Sequence, residues 1–507
     1  MPTIQELLFD PISGLTLEAE YVHCGPETQV HALQVDSRRI TARGAFLAVR
    51  GERSDGHDFL ESVQASGAAL AIIQRGHRPA PGLPHVGLRD TKAALAQICA
   101  AFHGWPASQL TLAGITGTNG KTTTAHLVSA VLAHANSAHL RLGTTGNWLV
   151  NREQSASFTT PFPLEMQALL ARAVSEGASS GVMEVSSHAL AQGRVEPIRY
   201  TAVGMTSFSQ DHLDFHPDMQ AYLDAKCRLA SRHLRPDGVA VAAVDDHPAC
   251  RQFLKAAADA GARVWRVSRG AETEAEIFVE GWSMSQAGLR ATVRTPAGSL
   301  ELRSPLVGAF NLDNLLVATG LSLALGMNLS QIREALARCP GAPGRLERVV
   351  TAEGIPPGPA VFVDYAHTPD AVQRSIEALR ASMNHEERLI VVLGCGGDRD
   401  PSKRAPMGDI ASHGADTLIA TSDNPRREDP EKIIDAMMQG VSLADGHLRR
   451  VDRRAAIRLA IESARPSDTV LIAGKGHERV QIVGDRMLPF DDREEALTVL
   501  KRSSPLD

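Results

Sequence analysis

Between Leu110 and Thr124 the chain reads LTLAGITGTNGKTTT, a short apolar run that breaks into glycines, a lysine and three threonines. Leu110 to Ile115 has the character of a buried strand, and Ala125 to Val128 with Val131 and Leu132 has the spacing of the helix that follows. In the link, Gly117-Thr118-Asn119-Gly120-Lys121-Thr122, glycines let the backbone curl until successive N–H groups point inward. The helix N-terminus adds its positive dipole, and Lys121 supplies a movable cation for terminal phosphates. Thr122 is placed to hold Mg²⁺. The full pattern G-x-x-x-x-G-K-[ST] would put its first glycine at Ile115, whereas the chain offers Gly114 and Gly117, so this is a variant phosphate loop. A glycine-rich turn with a solvated lysine is the alternative. The strand before and the helix after favour a nucleoside triphosphate site.

A chain of 507 residues exceeds what one hydrophobic core supports, so two to four domains are expected. A formal charge of −6 gives no general attraction to nucleic acid or to acidic membranes, and aromatic residues, at 4%, are too sparse for a stacking groove. The six cysteines include no C-x-x-C pair, which argues against a disulfide framework or a zinc ribbon and fits a reducing compartment. The first residues, MPTIQELLFDP, lack the basic and apolar parts of a secretory signal, and no apolar run reaches membrane-spanning length. The expectation is a cytoplasmic protein with neither nucleic-acid nor membrane partners.

The first hundred residues carry apolar segments at 44–49 and 68–73 and a helical pattern from Thr91 to Ala101, a small α/β domain. Its Val35-Asp36-Ser37-Arg38 and the segment from Gly44 to Phe59 read, on their residues alone, as loop punctuation. Trp105-Pro106 marks a boundary. Beyond it, strand candidates at 181–185, 201–205 and 238–244 alternate with helices at 164–175 and 219–229, which implies a parallel sheet with ligands at the carboxyl ends of its strands. Glu184 closes one strand where a carboxylate can reach the Mg²⁺ held by the loop. His212 is raised only by its strand-end position. Lys226 reads as a surface lysine with a snorkelling stem. A helix at 330–338 ends in the Pro/Gly cluster from Pro340 to Arg345, a second boundary. Strands at 360–363, 389–393, 417–420 and 469–472 then suggest a second doubly wound sheet, whose strand ends carry Gly394 to Arg399, Asp423-Asn424-Pro425-Arg426 and Gly474 to Glu478. The fold class is therefore α/β, with a small N-terminal domain over 1–105, a central phosphate-loop ATPase with a mostly parallel sheet over 106–340, and a C-terminal Rossmann-like domain over 341–507.

Taken together, the motifs resemble those of the Mur ligases. The resemblance rests on DSR at Asp36, TGTNGKTTT, TTP at Thr159, MEVSSHAL, DHLDFH, GAFNLDNLLVA at Gly308, PGRLE at Pro343, DYAHTPD at Asp364, DNPR and GKGHE. It implies a UDP-binding first domain, a central ATPase and a third domain that carries the incoming amino acid. By this resemblance Val35, Ser37, Glu52, Arg53 and Ser54 contact UDP, while Thr159, Thr160, Ser186, Gln192 and Arg194 hold a UDP-muramoyl dipeptide. Gly117 to Thr123, Asn311 and Arg345 contact ATP. Lys226 matches a lysine that CO₂ converts to N6-carboxylysine, a carboxylate-like group able to hold a second Mg²⁺ with His212. Arg399, Asp423, Asn424, Pro425, Arg426, Gly474 and Glu478 form the pocket for the amino acid. The one visible departure is Thr206-Ser207-Phe208, where the family often has T-N-L.

The activity so implied is ATP-dependent addition of meso-2,6-diaminopimelate to UDP-N-acetylmuramoyl-L-alanyl-D-glutamate through an acyl phosphate, by a monomer acting in peptidoglycan precursor synthesis and hence in cell shape and division. Catalysis is expected from Lys121, Glu184, His212 and Lys226. Arg426 argues for diaminopimelate, because a guanidinium grips a second carboxylate that lysine lacks. A lysine-adding Mur ligase and a folylpolyglutamate synthase-like ligase are the competing readings.

Overall fold

The computed structural model describes every residue except 53, 80, 246, 271–273, 351–353, 355–357, 442–445 and 504–507. The chain forms two compact units, Met1–Arg266 with Thr319–Met327, and Val267–Ala318 with Asn328–Asp507.

In the first unit, the strands Ala19–Val22, His85–Leu88, Leu70–Gln74, Ala45–Leu47 and Leu33–Gln34 lie side by side in that order, antiparallel at the first pair and parallel thereafter. The helix Thr91–Phe102, capped by the Asp90 side chain, covers this sheet and closes a core with Ile72, Val86 and Ile98. A second sheet places Thr111–Thr116 between Ser180–Glu184 and Tyr200–Met205, with His139–Leu142 and Leu234–Ala243 outside them, all parallel. These strands are apolar almost throughout, as strands covered on both faces must be. Short strands Asn147–Leu149 and Arg152–Gln154 add an antiparallel edge. The chain leaves Thr111–Thr116 toward one side and later crosses to the other, so the crevice at the carboxyl end of that strand is the fold's natural ligand position.

The second unit holds an antiparallel meander, Ile277–Ser285, Gly288–Thr295 and Gly298–Ser304, which alternating exposed charges hid from the sequence reading. It also holds a six-stranded sheet in the order Glu347–Arg348, Ala360–Asp364, Thr469–Ala473, Leu389–Cys395, Thr417–Ser422, Leu448–Arg450, parallel except at the first pair. The expected strands fall where the apolar runs placed them. The phosphate-loop helix, Lys121–His134, starts four residues before the expected Ala125, because Gly120 in the left-handed region (φ 87°) turns the loop directly into it.

Arg453 and Asp492 knit the second unit's helices to its sheet. Both side chains are fully buried and paired twice, Nε to Oδ1 at 2.7 Å and Nη2 to Oδ2 at 2.6 Å, while Arg453 also donates to the Ala473 carbonyl at 3.1 Å. Removing one partner strands the other charge. Asp492→Ala should therefore destabilise this unit by about 3–5 kcal/mol, read from denaturant unfolding, whereas an unchanged midpoint would show that the pair is not needed.

Candidate active site

The loop after Thr111–Thr116 owes its shape to Gly117, whose φ of 146° suits glycine alone and whose missing Cβ would lie 2.1 Å from Thr206 Oγ1. Lys121 Nζ folds back to donate to the carbonyls of Gly117 (2.8 Å) and Thr118 (2.9 Å). The loop's far side is tied to the neighbouring strand end. Ser207 Oγ donates to the Asn119 carbonyl and accepts from its N–H, both at 3.0 Å, and Thr118 N donates to Ser207 O. The serine at the departure from T-N-L thus braces the loop.

Glu184 ends Ser180–Glu184 beside this loop, and it is buried. Its Oε2 accepts from Thr122 Oγ1 at 2.9 Å and from Thr144 Oγ1 at 3.0 Å, and its Oε1 accepts from Thr144 N at 2.9 Å. Sequence reasoning found Glu184 and Thr122 but missed Thr144 and Gly143. The signal was the TTG segment after His139–Leu142, another strand end of the same sheet. Gly143 allows the close approach, since a Cβ there would lie 2.2 Å from Glu184 Oε1.

Lys226 corrects the sequence reading. It is not a surface lysine: on the helix Met219–Arg232 it is 1% exposed, with Nζ 2.9 Å from the Gly117 carbonyl and 4.3 Å from the centre of the Tyr222 ring. Burial, and then the charge of Lys121, push its amine well below the ordinary lysine range. The helix period hid this, because a buried amine on an otherwise amphipathic helix looks like a polar-face residue. His212, in the left-handed region at φ 54°, stacks edge-on with His188 at 4.7 Å and faces Tyr222 at 6.0 Å. Burial lowers its pKa, with Lys121 and Lys226 pulling the same way and Asp211 opposing. Lys121, Thr122, Glu184, His212 and Lys226 thus gather about one loop.

The residues expected to hold the dipeptide form a continuous chain of hydrogen bonds. Thr159 Oγ1 meets Thr144 Oγ1 at 3.0 Å, Thr160 Oγ1 donates to the Glu184 carbonyl at 2.9 Å and accepts from Ser186 N at 3.0 Å, and Arg194 Nη1 donates to Thr160 O at 3.0 Å. Arg194 Nε donates to Gln192 Oε1 at 2.8 Å, and its guanidinium covers the exposed Phe162 ring at 3.9 Å. Gln192 Nε2 donates to Glu52 Oε1 at 3.4 Å, which joins Glu52 to this row. Arg53 lies outside the described residues. Val35 is exposed beside the single turn Ser37–Arg39, where Arg38 holds the Asp36 carboxyl at about 2.

In the second unit, a cleft of 330 Å³ at the strand ends is lined by Tyr365, Arg399, Asp423, Asn424, Arg426, Gly474 and Glu478 among others. Arg426, at φ 51°, donates through Nη1 to the Gly397 carbonyl at 2.7 Å. Lys475, fully buried, donates to Asn424 Oδ1 at 3.0 Å, Glu478 Oε2 at 3.2 Å and Val480 O at 2.7 Å, while Asn424 Nδ2 donates to Glu478 at 2.7 Å. The Asn424 carboxamide is therefore a brace between strand ends. Burial raises the Asp423 pKa, against the pull of Arg453 and Lys475. Pro425 is buried behind Arg426. Of the residues expected at ATP in this unit, Asn311 Nδ2 donates to Val307 O at 2.8 Å and the Arg345 guanidinium covers the Tyr365 ring at 4.8 Å.

Residues 29–103 match the Mur ligase family, catalytic domain; 115–322 the Mur ligase middle domain; and 344–476 the Mur ligase, glutamate ligase domain. A UDP-N-acetylmuramoyl-L-alanyl-D-glutamate–2,6-diaminopimelate ligase of Gloeobacter violaceus is 44% identical over 478 residues, 94% of this chain and 95% of the relative. One from Geobacillus thermodenitrificans is 40% identical over 487 residues, 95% of this chain and 97% of the relative. A solved structure of a ligase of that name is 29% identical and superposes with a TM-score of 0.72 over 99% of each chain. A Mycobacterium tuberculosis folylpolyglutamate synthase complexed with ADP and AMPPCP, 20% identical with a TM-score of 0.60 over 75% of this chain and 92% of its own, shares the fold. This chain belongs to the Mur ligase family. It is an ATP-dependent ligase.

Because Gly143 leaves room for Glu184, Gly143→Ala should push that carboxylate off Thr122 and slow ligation by roughly tenfold or more, with a raised Mg²⁺ requirement. Unchanged turnover and Mg²⁺ dependence in this variant would remove the Thr122–Glu184 contact from the site.

Proposed function

We propose that the chain joins meso-2,6-diaminopimelate to UDP-N-acetylmuramoyl-L-alanyl-D-glutamate, with ATP cleaved to ADP and phosphate, in the synthesis of peptidoglycan precursors. The observation that carries this reading is the Glu184 carboxylate shared by Thr122 and Thr144 beside the phosphate loop. The substrate pair is the one named for its relatives at 40–44% identity.

Under this proposal residues 1–105, 106–340 and 341–507 are three domains for UDP, ATP and the amino acid. Val35, Ser37, Glu52, Arg53 and Ser54 hold UDP; Thr159, Thr160, Ser186, Gln192 and Arg194 hold the muramoyl dipeptide; Gly117 to Thr123, Asn311 and Arg345 hold ATP. The Thr122 hydroxyl and Glu184 carboxylate, 2.9 Å apart, are the hard oxygen donors that Mg²⁺ prefers, and they fit it. His212 and the carbamate of Lys226 would hold a second Mg²⁺, and such ions would supply positive charge to offset that of the phosphates.

The D-glutamate carboxylate attacks the γ-phosphorus in line and ADP leaves. The amine of diaminopimelate then attacks the acyl carbon, phosphate departs with the bonding electrons, and the amine loses a proton. Lys121 can swing from the Gly117 and Thr118 carbonyls to the transferring phosphate and stabilise its charge. No side-chain nucleophile is required. In the cleft, Arg426 grips the distal carboxylate of diaminopimelate and Asp423 faces its ammonium, while Arg399, Asn424, Pro425, Gly474 and Glu478 shape the pocket. The enzyme acts as a cytoplasmic monomer in cell wall biogenesis, and through it in cell shape, division and the cell cycle. Among the described residues no helix is long and apolar enough to cross a membrane.

The buried amine of Lys226, with its lone pair exposed by loss of a proton, adds to the carbon of CO₂ as one C=O pair moves to oxygen, and the nitrogen then releases a second proton to water, leaving the carbamate. Lys226→Ala should lose most activity and regain part of it with added short carboxylates, and full activity in the plain variant would contradict the role. Loss of one partner from a desolvated charge pair costs about 2–5 kcal/mol, so Arg426→Ala should lower kcat/KM for diaminopimelate by roughly thirtyfold or more. A variant that used diaminopimelate as well as its parent would remove Arg426 from the pocket.

A further inference from the structure

The first unit also contains a mostly apolar cavity with a few polar groups in its wall, at the opposite end of the strand that carries the phosphate loop. It measures 190 Å³ and is walled by Ile12, Trp105 and Ala107, with Gln167, Arg199 and Arg235 turned to it. Arg235 Nη2 donates to the carbonyl of Leu110, the residue before Thr111–Thr116, at 3.2 Å. Six residues of extended chain separate this end from Gly117, about 20 Å. The cavity is therefore distinct from the crevice where the ligase residues gather.

Gln167 is its unusual member. It lies on the helix Pro163–Ser175 and is 0% exposed, yet among the described residues neither Oε1 nor Nε2 of its carboxamide has a hydrogen-bonding partner. A buried amide left unpaired opposes folding, so folding alone would favour leucine here. The two arginines are also unspent: Arg199 Nη1 reaches only the Ile198 carbonyl at 3.2 Å, and neither guanidinium is paired with a carboxylate among the described residues. A buried donor-acceptor pair, two guanidinium groups and an indole wall make a complement to one kind of molecule. Its size is modest, since a cavity of about 150 Å³ accommodates benzene.

We propose that this cavity binds a small carboxylate that also carries an amide, the chemistry of an acylated amino acid or a peptide C-terminus. The carboxylate meets Arg199 and Arg235, the amide N–H and C=O meet the Gln167 carboxamide, and the apolar part lies on Trp105. Among the described residues no hydrogen bond or ion pair links Gln167 or the two arginines to the ligase residues named above, so the site can be disabled while basal ligation continues.

The test uses the full chain with N-acetylglycine as the probe and its neutral counterpart, N-acetylglycinamide, as the control, followed by calorimetric titration and by crystals soaked with each. The expected result is N-acetylglycine at one site per chain, placed between Arg199, Arg235 and Gln167. N-acetylglycinamide should bind at least tenfold more weakly. Gln167→Leu and the double variant Arg199→Ala/Arg235→Ala should each weaken binding at least tenfold, with ligation unchanged. Gln167→Leu should also keep or raise the thermal midpoint, because it removes an unpaired buried amide. A lowered midpoint in Gln167→Leu would make Gln167 a structural residue and overturn the proposal. So would no N-acetylglycine binding, binding unaffected by either variant, or density that marks an adventitious additive only.

Discussion

Two lysine side chains end on one carbonyl oxygen. Lys121 Nζ lies 2.8 Å from Gly117 O and Lys226 Nζ lies 2.9 Å from it, and two ammonium groups cannot share such a point in a buried site without cost. Burial, with the charge of Lys121 beside it, lowers the pKa of Lys226 well below the ordinary lysine range. The arrangement requires the carbonyl to point inward, which the left-handed φ of Gly117 provides, and it requires the helix Met219–Arg232 to pack against the loop. Thr118 Oγ1, 3.2 Å from the Tyr222 hydroxyl, ties the two together. Two amines in contrasting surroundings, Lys121 folded over the loop and Lys226 buried behind it, therefore meet at the same few ångströms of backbone.

Around this point the sheet sorts its polar residues by strand. Glu184, Thr144 and Ser207 stand at the ends of three different strands or in the turns that follow them, and each is held by hydrogen bonds to a neighbour rather than by solvent. The second unit repeats the device with other chemistry. There a buried lysine, Lys475, fixes Asn424 and Glu478, so that Asp423 and Arg426 face the cleft from a rigid rim. Rigid rims position ligands without an entropy loss at the moment of binding.

Much of this was legible in the amino acids. The phosphate loop announces itself because glycines and a lysine between an apolar run and a helical pattern have few other uses, and Glu184 follows from its place at a strand end. The parallel strands of both sheets were legible because both faces are covered, which leaves unbroken apolar runs such as LIVVLGC over Leu389–Cys395. Lys226 was not, since its burial depends on which face of Met219–Arg232 meets the loop. The contact of Gly143 with Glu184 was hidden for the same reason: residues 41 positions apart become neighbours only when the sheet forms. Gln167 sits in a helix whose sequence looks ordinary, and only the folded chain reveals that its amide has no hydrogen-bonding partner among the described residues. The resemblance to the Mur ligases supplied roles for residues such as Val35 and Asn311 that no pattern in this chain singles out.

The central claim is that this chain builds a tripeptide ending in diaminopimelate. It is tested most directly by giving the purified chain UDP-N-acetylmuramoyl-L-alanyl-D-glutamate, ATP, Mg²⁺ and equal amounts of meso-diaminopimelate and L-lysine, and weighing the product by mass spectrometry. The account predicts the diaminopimelate adduct together with ADP and phosphate in equal amount. A lysine adduct of comparable yield, or ATP hydrolysis with no peptide product, would contradict it.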